Sequence, residues 1–147
     1  MRICSGAGCL RAVHDYVRFC AECALEHKQD RPSGAQRAAN DVIQAEYQKA
    51  RWRKGIRPRV LQRYPFCHEC KRHPSAVADH NIPARLVIAV CRAEKLFPFD
   101  PMGGFYILEN CVGLCHSCHN SKTKIEDSQD WTAQLDALLV KFRKKAV

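Results

Sequence analysis

Apolar positions recur at helical spacing at both ends of the central part of the chain. In residues 35–53, Ala38, Val42, Ala45 and Trp52 form a stripe, while Arg37, Lys49 and Arg53 are left to face outward, so an amphipathic helix is predicted. Gly55 is expected to interrupt it. A second short helix is predicted over 59–64, with Pro58 acceptable in its first turn and Pro65 ending it. Near the C-terminus Trp131, Leu135, Leu138, Leu139 and Phe142 again fall on one helical face, and Lys141, Arg143, Lys144 and Lys145 gather where the helix dipole favours cations. That tail reads as a helix packed on a core. Residues 66–127 are irregular, with short strands expected at 75–79 and 105–108, a helix at 85–96 and a turn-rich stretch at 97–104. A further helix is expected from about Cys118, capped by Ser117.

Turn formers and polar residues divide the chain further. Residues 1–27 are rich in cysteine, with Gly6 and Gly8 between Cys4 and Cys9, and a polar break containing Pro32 and Gly34 follows. The expected organisation is an N-terminal knuckle at 1–30, a basic helical linker at 31–64, a central domain at 65–127 and an amphipathic helix at 128–147. A length of 147 residues suits one catalytic domain with small appendages, and a 46% hydrophobic fraction argues against a disordered chain. No run of 18 apolar residues exists, so no membrane span is expected, and MRICSGAGCLRAV lacks the apolar stretch of a secretory signal. The expectation is a cytoplasmic protein whose thiols stay reduced.

Charge changes this picture at one place. Residues 51–75 hold 8 basic side chains against 1 acidic, most of the excess behind the net charge of +9. Such a concentration suits contacts with a phosphate backbone, and a solvated basic face is the plain alternative. Arg51, Arg53, Lys54, Arg57 and Arg59 are the candidate backbone contacts.

Eight of the 10 cysteines form pairs: Cys4 and Cys9, Cys20 and Cys23, Cys67 and Cys70, Cys115 and Cys118. Short spacings let two thiolates converge on one ion, and tetrahedral zinc needs four ligands. The first four cysteines and the last four are therefore expected to hold one structural zinc each, with His27 able to replace Cys23 as ligand. Disulfides are disfavoured by compartment, and no βαβ pattern suggests a redox pair. Cys91 and Cys111 are left as ordinary buried thiols. The zinc sites would be closed and would serve folding, so chemistry must come from other residues. Asp79, His80 and Asn110 lie between the two halves of the second cysteine set, and His119 follows it directly. A zinc joining residues 67 and 118 would bring the Asp79–His80 segment beside the helix carrying His119.

The run Cys67-His-Glu-Cys70, Ala78-Asp79-His80-Asn-Ile-Pro83, Glu109-Asn110-Cys-Val-Gly-Leu-Cys115-His-Ser-Cys118-His119-Asn-Ser-Lys122-Thr123 resembles the zinc-stapled HNH endonucleases common in bacteriophages. Upstream Ala50-Arg51-Trp52-Arg53 and Arg59-Val60-Leu61 add to the likeness, which covers about residues 50–127 firmly and the first 27 loosely. Two departures stand out: Asn81 follows His80 where an apolar residue is common, and the span from His80 to Asn110 is long, marking 85–104 as an inserted element.

The resemblance implies a small, zinc-stabilised α+β fold with a ββα-metal (His-Me finger) core at 65–127. It implies that Asp79 and His119 bind one catalytic divalent ion such as Mg²⁺ or Mn²⁺, that His80 is the general base, and that Asn110 braces the loop and orients His80. Lys122 is a further candidate for phosphate contact. The implied activity is hydrolysis of double-stranded DNA to 5′-phosphate and 3′-hydroxyl ends, one strand per site, with phage packaging proteins as partners. The competing expectation is a zinc-binding module that recognises nucleic acid or a partner without catalysis.

Overall fold

The computed structural model describes residues 1–15, 18–29 and 33–145. Residues 30–32 of the expected linker lie outside the described residues, as do the side chains of His27, Lys144 and Lys145. The chain is small and α+β, and it divides into two units, Met1–Asp41 and Val42–Val147. In the first unit, strand β1 (Arg2–Ile3) pairs antiparallel with β2 (Ala12–Val13), and helix α1 (Ala21–Gln29) follows. Gly8 takes a φ of +72° in the turn between Cys4 and Cys9, a conformation that favours glycine.

Helix α2 (Gly34–Gln48) carries the chain across the division. It bends at Lys49 and continues as a wide π turn at Arg51–Ile56, which runs straight into α3 (Arg57–Arg63). Gly55 therefore does not interrupt the helical path. Trp52 and Ile56, four residues apart, are both buried, while nothing lies within 4 Å of the place a β-carbon would take at Gly55. Burying the tryptophan and isoleucine outweighs the roughly 1 kcal/mol that glycine costs in a helix.

Strand β3 (Val77–His80) pairs antiparallel with β4 (Cys111–Leu114), placing Val77 opposite Leu114, Ala78 opposite Gly113, Asp79 opposite Val112 and His80 opposite Cys111. Between them run helix α4 (Ala84–Ala93) and two 3₁₀ turns, Gly103–Tyr106 and Leu108–Asn110. Helix α5 (His116–Ile125) follows β4, and α6 (Thr132–Lys145) ends the described chain. The strand expected at 105–108 is thus turn, and the second strand lies at 111–114. Residues 103–107 are all buried, and so are all four of β4, so neither segment shows the alternation that marks a half-exposed strand. Helix α5 also starts earlier than expected. Cys115 occupies its N-cap in an extended conformation, and Ser117 lies within the first turn.

Three apolar clusters fill the second unit. Trp52, Ile56, Val60, Ala78, Ile88 and Phe105 surround the strand pair. Val87, Ile107, Trp131 and Leu138 join α4 to α6, with the Trp131 indole N–H donating to the Glu126 carbonyl. Cys67, Val112, Leu114 and Cys115 pack around the second sulfur set. Gly113 is needed in β4, because a β-carbon there would lie 2.6 Å from Ser75 Oγ and 2.8 Å from Tyr64 Cβ.

Candidate functional site

Eight cysteine sulfurs gather into two sets. Cys4, Cys9, Cys20 and Cys23 form one, and Cys67, Cys70, Cys115 and Cys118 the other; within each, the ligand atoms lie within 4.8 Å of one another. No disulfide joins any of the cysteines. The second set is built by two local devices. Residues 66–74 fold back on themselves: the Cys67 N–H donates to the His73 carbonyl at 2.8 Å, and Lys71 takes a φ of +56° at the turn. Cys115 and Cys118 come from the cap and first turn of α5. The Arg72 and His73 peptide N–H groups, with the His73 ring, hold the Cys70 thiol down at about 5. Hydrogen bonding from Cys115 and then burial push Cys118 up to about 12. In the first set, Cys20 hydrogen bonding and then burial do the same to Cys23. Neighbouring sulfurs thus disfavour the thiolate form of Cys23 and Cys118, and a cation bound among them would favour it. Four sulfurs at this spacing suit a tetrahedral soft-ligand ion, so each set fits one structural zinc.

A separate cleft of about 1020 Å³ opens beside the strand pair. Asp79 from β3 and His119 from α5 both line it, as do Arg53, Lys54 and Arg57 from the π turn and the start of α3. The strand pair and the sulfur set together explain the meeting of Asp79 and His119. β4 carries the chain along β3 to Cys115, and α5 then runs along the cleft, with His119 directly after the sulfur ligand Cys118. Asp79 Oδ2 accepts from the Lys122 ammonium at 3.1 Å, and Lys122 also pairs with Glu126 one turn further on. Asp79 and Lys122 are mostly buried, at 14% and 15% side-chain exposure, so Lys122 is engaged within the site. Among the described residues, Asp79 and His119 do not belong to any cluster of three converging metal ligands.

His80 is placed differently. Successive residues of a strand point to opposite faces, so Asp79 turns to the cleft while His80 points into the core, 2% exposed. Its ring stacks on Trp52, with centroids 5.1 Å apart and planes at 23°. Both ring nitrogens are engaged: Nε2 lies 2.8 Å from the Phe105 carbonyl and Nδ1 2.8 Å from the Tyr47 hydroxyl. A carbonyl oxygen can only accept, so Nε2 carries the proton and Nδ1 offers the lone pair. Burial holds the pKa of His80 below the usual histidine value, keeping the ring neutral. Tyr47 in turn lines the cleft. Burial first, then the Asp79 carboxylate, push its hydroxyl above the usual tyrosine range, so it is a protonated donor.

Asn110 is buried just before β4 and clasps one residue, accepting from the Ile82 N–H at 2.9 Å and donating to the Ile82 carbonyl at 2.9 Å. The clasp closes the loop that follows His80. Arg51 is turned away from the cleft: it pairs with Asp100 at 2.6 Å and lies 3.8 Å over the Tyr106 ring. Arg59 is exposed and outside the cleft lining.

Three groups of the site carry no motif of their own. Tyr47 lies on α2 and Glu126 in the 3₁₀ turn that follows α5, and neither residue's partners are readable from its local sequence. The third is the Phe105 carbonyl, which no side-chain pattern can announce. Glu46 is buried at 3% exposure beside Tyr47 and accepts from the Tyr106 hydroxyl at 2.5 Å and from Lys49 at 2.6 Å, tying α2 to the 103–106 turn. Burial alone would raise the Glu46 pKa, but these two hydrogen bonds outweigh it and hold the carboxyl below its usual value. Comparison with family models, with curated proteins and with solved structures finds no match to the chain.

Proposed function

We propose that the chain is a metal-dependent DNA endonuclease of the HNH type, with a ββα-metal core formed by β3, β4 and α5. The observation that carries this reading is the shared cleft: a carboxylate on β3 and an imidazole on α5 face the same space as three basic side chains. Asp79 and His119 are the residues that would hold a divalent ion. A carboxylate and an imidazole suit a hard or borderline cation, and Asp79 already sits against the positive charge of Lys122. Such an ion would supply charge stabilisation at the scissile phosphate. Arg53, Lys54 and Arg57 would hold the phosphate backbone without reading sequence. His80, neutral and fixed by two hydrogen bonds, is the proton acceptor of the reading. Asn110 braces the loop behind it.

The test is supercoiled plasmid incubated with Mg²⁺ or Mn²⁺, with His80→Ala and His119→Ala alongside the wild type. Nicked or linear product from the wild type alone is expected. Equal cutting by the His80→Ala protein would remove His80 as the base. One observation favours a second reading, a zinc-binding module that grips nucleic acid without cutting it: His80 is buried with both nitrogens occupied. A gel shift without cleavage under either metal would decide for that module.

A further inference from the structure

We propose that Tyr47 is a catalytic residue of this hydrolysis, the group through which buried His80 takes a proton from the attacking water. This rests on the nuclease reading above. A base must reach the proton it removes within hydrogen-bond distance, directly or through one water, and a phenol hydroxyl, which both donates and accepts, can take that water's place. His80 has no direct route. Its Nε2 proton is committed to the Phe105 carbonyl, and the residue is 2% exposed. Its single lone pair, on Nδ1, faces the Tyr47 hydroxyl at 2.8 Å. Tyr47 is the partner that also lines the cleft, together with Asp79 and His119.

The relay is held rigidly at both ends. The Tyr47 ring meets Trp52 edge-on at 5.0 Å and Phe105 at 4.9 Å, so the phenol has little freedom to swing away from the histidine. Glu46, the preceding residue, fixes the helix through Tyr106. Phe105 holds the far side of the imidazole, which leaves Nδ1 as the nitrogen that changes protonation.

In the step itself, a water in the cleft gives a proton to Tyr47 Oη as the phenol proton passes to His80 Nδ1. The freed electron pair on the water oxygen forms the new bond to phosphorus, and the bond from phosphorus to the leaving sugar oxygen breaks. That oxygen takes a proton from solvent, leaving a phosphate monoester and an alcohol. Tyr47 ends neutral. His80 ends as an imidazolium still donating from Nε2 to Phe105, and it returns its proton to solvent through the same hydroxyl.

Tyr47→Phe keeps the ring and removes only the hydroxyl. In the full zinc-loaded chain it should slow plasmid nicking about 100-fold or more in kcat, the scale of one proton-transfer group, with KM and the gel-shift midpoint unchanged. Placing 3-fluorotyrosine at 47 restores the hydroxyl and should restore nicking. The wild-type rate in mixed H₂O and D₂O should follow a bowed curve, as two protons move together. Nicking by Tyr47→Phe within about threefold of wild type would overturn the relay and leave the nuclease reading standing, provided His80→Ala stays inactive. A loss that fluorotyrosine does not repair would also overturn it, by showing a packing role. A wild type that never cuts would bring down the reading and the relay together.

Discussion

Asn110 shows how much one side chain can hold in this protein. Its amide satisfies both the N–H and the C=O of Ile82, and all the groups involved are buried. Replacing it by alanine strands a donor and an acceptor in the core, each costing about 1–3 kcal/mol. Asn110→Ala is therefore expected to destabilise the chain by about 2–6 kcal/mol, read as a shift in the urea unfolding midpoint; a shift under about 0.5 kcal/mol would mean that the loop does not depend on the clasp. At this scale the sequence was legible in part. Asp79, His80, Asn110 and His119 stand out by type and order. The direction in which each points was not legible, because it depends on strand alternation and on which face of β3 meets the core. Tyr47 was missed because the expected stripe ran through Ala38, Val42 and Ala45, which are exposed; the inward face of α2 is Ile43, Glu46 and Tyr47, set by the core it meets rather than by apolar count, and the Tyr47 hydroxyl gains meaning only when His80 arrives from 33 residues away.

Elements in this protein are held by sulfur as much as by apolar packing. The second sulfur set joins the 66–74 turn to the start of α5, and the cleft wall bearing His119 depends on that junction. Cys118→Ala is expected to lower bound zinc from two ions per chain to one and to loosen α5, measured by metal analysis together with hydrogen exchange of the α5 amides. Cys23→Ala should remove one zinc as well, with exchange in α5 unchanged. Protection of α5 that survives Cys118→Ala would show that packing alone holds the helix. The cysteine spacing made both sets readable in advance, since a closed tetrahedral site needs little besides ligand order. Strand position was harder. Residues 105–108 and 111–114 are both short apolar runs, and burial on every side erases the period that separates strand from turn. Pairing with β3 settled it, because β4 is the run whose register lets Leu114 cover Val77 and leads directly into Cys115.

For the whole molecule, the relevant quantity is how the basic residues are distributed over the surface. Of the five candidates in 51–59, Arg53, Lys54 and Arg57 line the cleft, Arg51 serves an internal pair with Asp100 and Tyr106, and Arg59 lies outside. Replacing Arg53, Lys54 and Arg57 by alanine is expected to flatten the salt dependence of DNA binding. The slope of log K against log salt should fall by about 0.9 for each phosphate that is no longer neutralised, so by about 3 in all. Arg51→Ala should leave the slope nearly unchanged, and an equal drop for Arg51→Ala would show that the cleft is not the binding face. No helix among the described residues is long and apolar enough to cross a membrane.

The sequence by itself determined the two sulfur sets, the apolar stripe of the C-terminal helix and the order of the chemistry-bearing residues, because each depends on spacing over a few positions or on residue type. Tertiary structure alone decided that Asp79 and His119 share a cleft, that His80 lies behind it, and that Tyr47 stands between. Those outcomes depend on which strand face is buried and which distant backbone oxygen is left to accept a proton, and both are fixed only when β3, β4 and the helices pack.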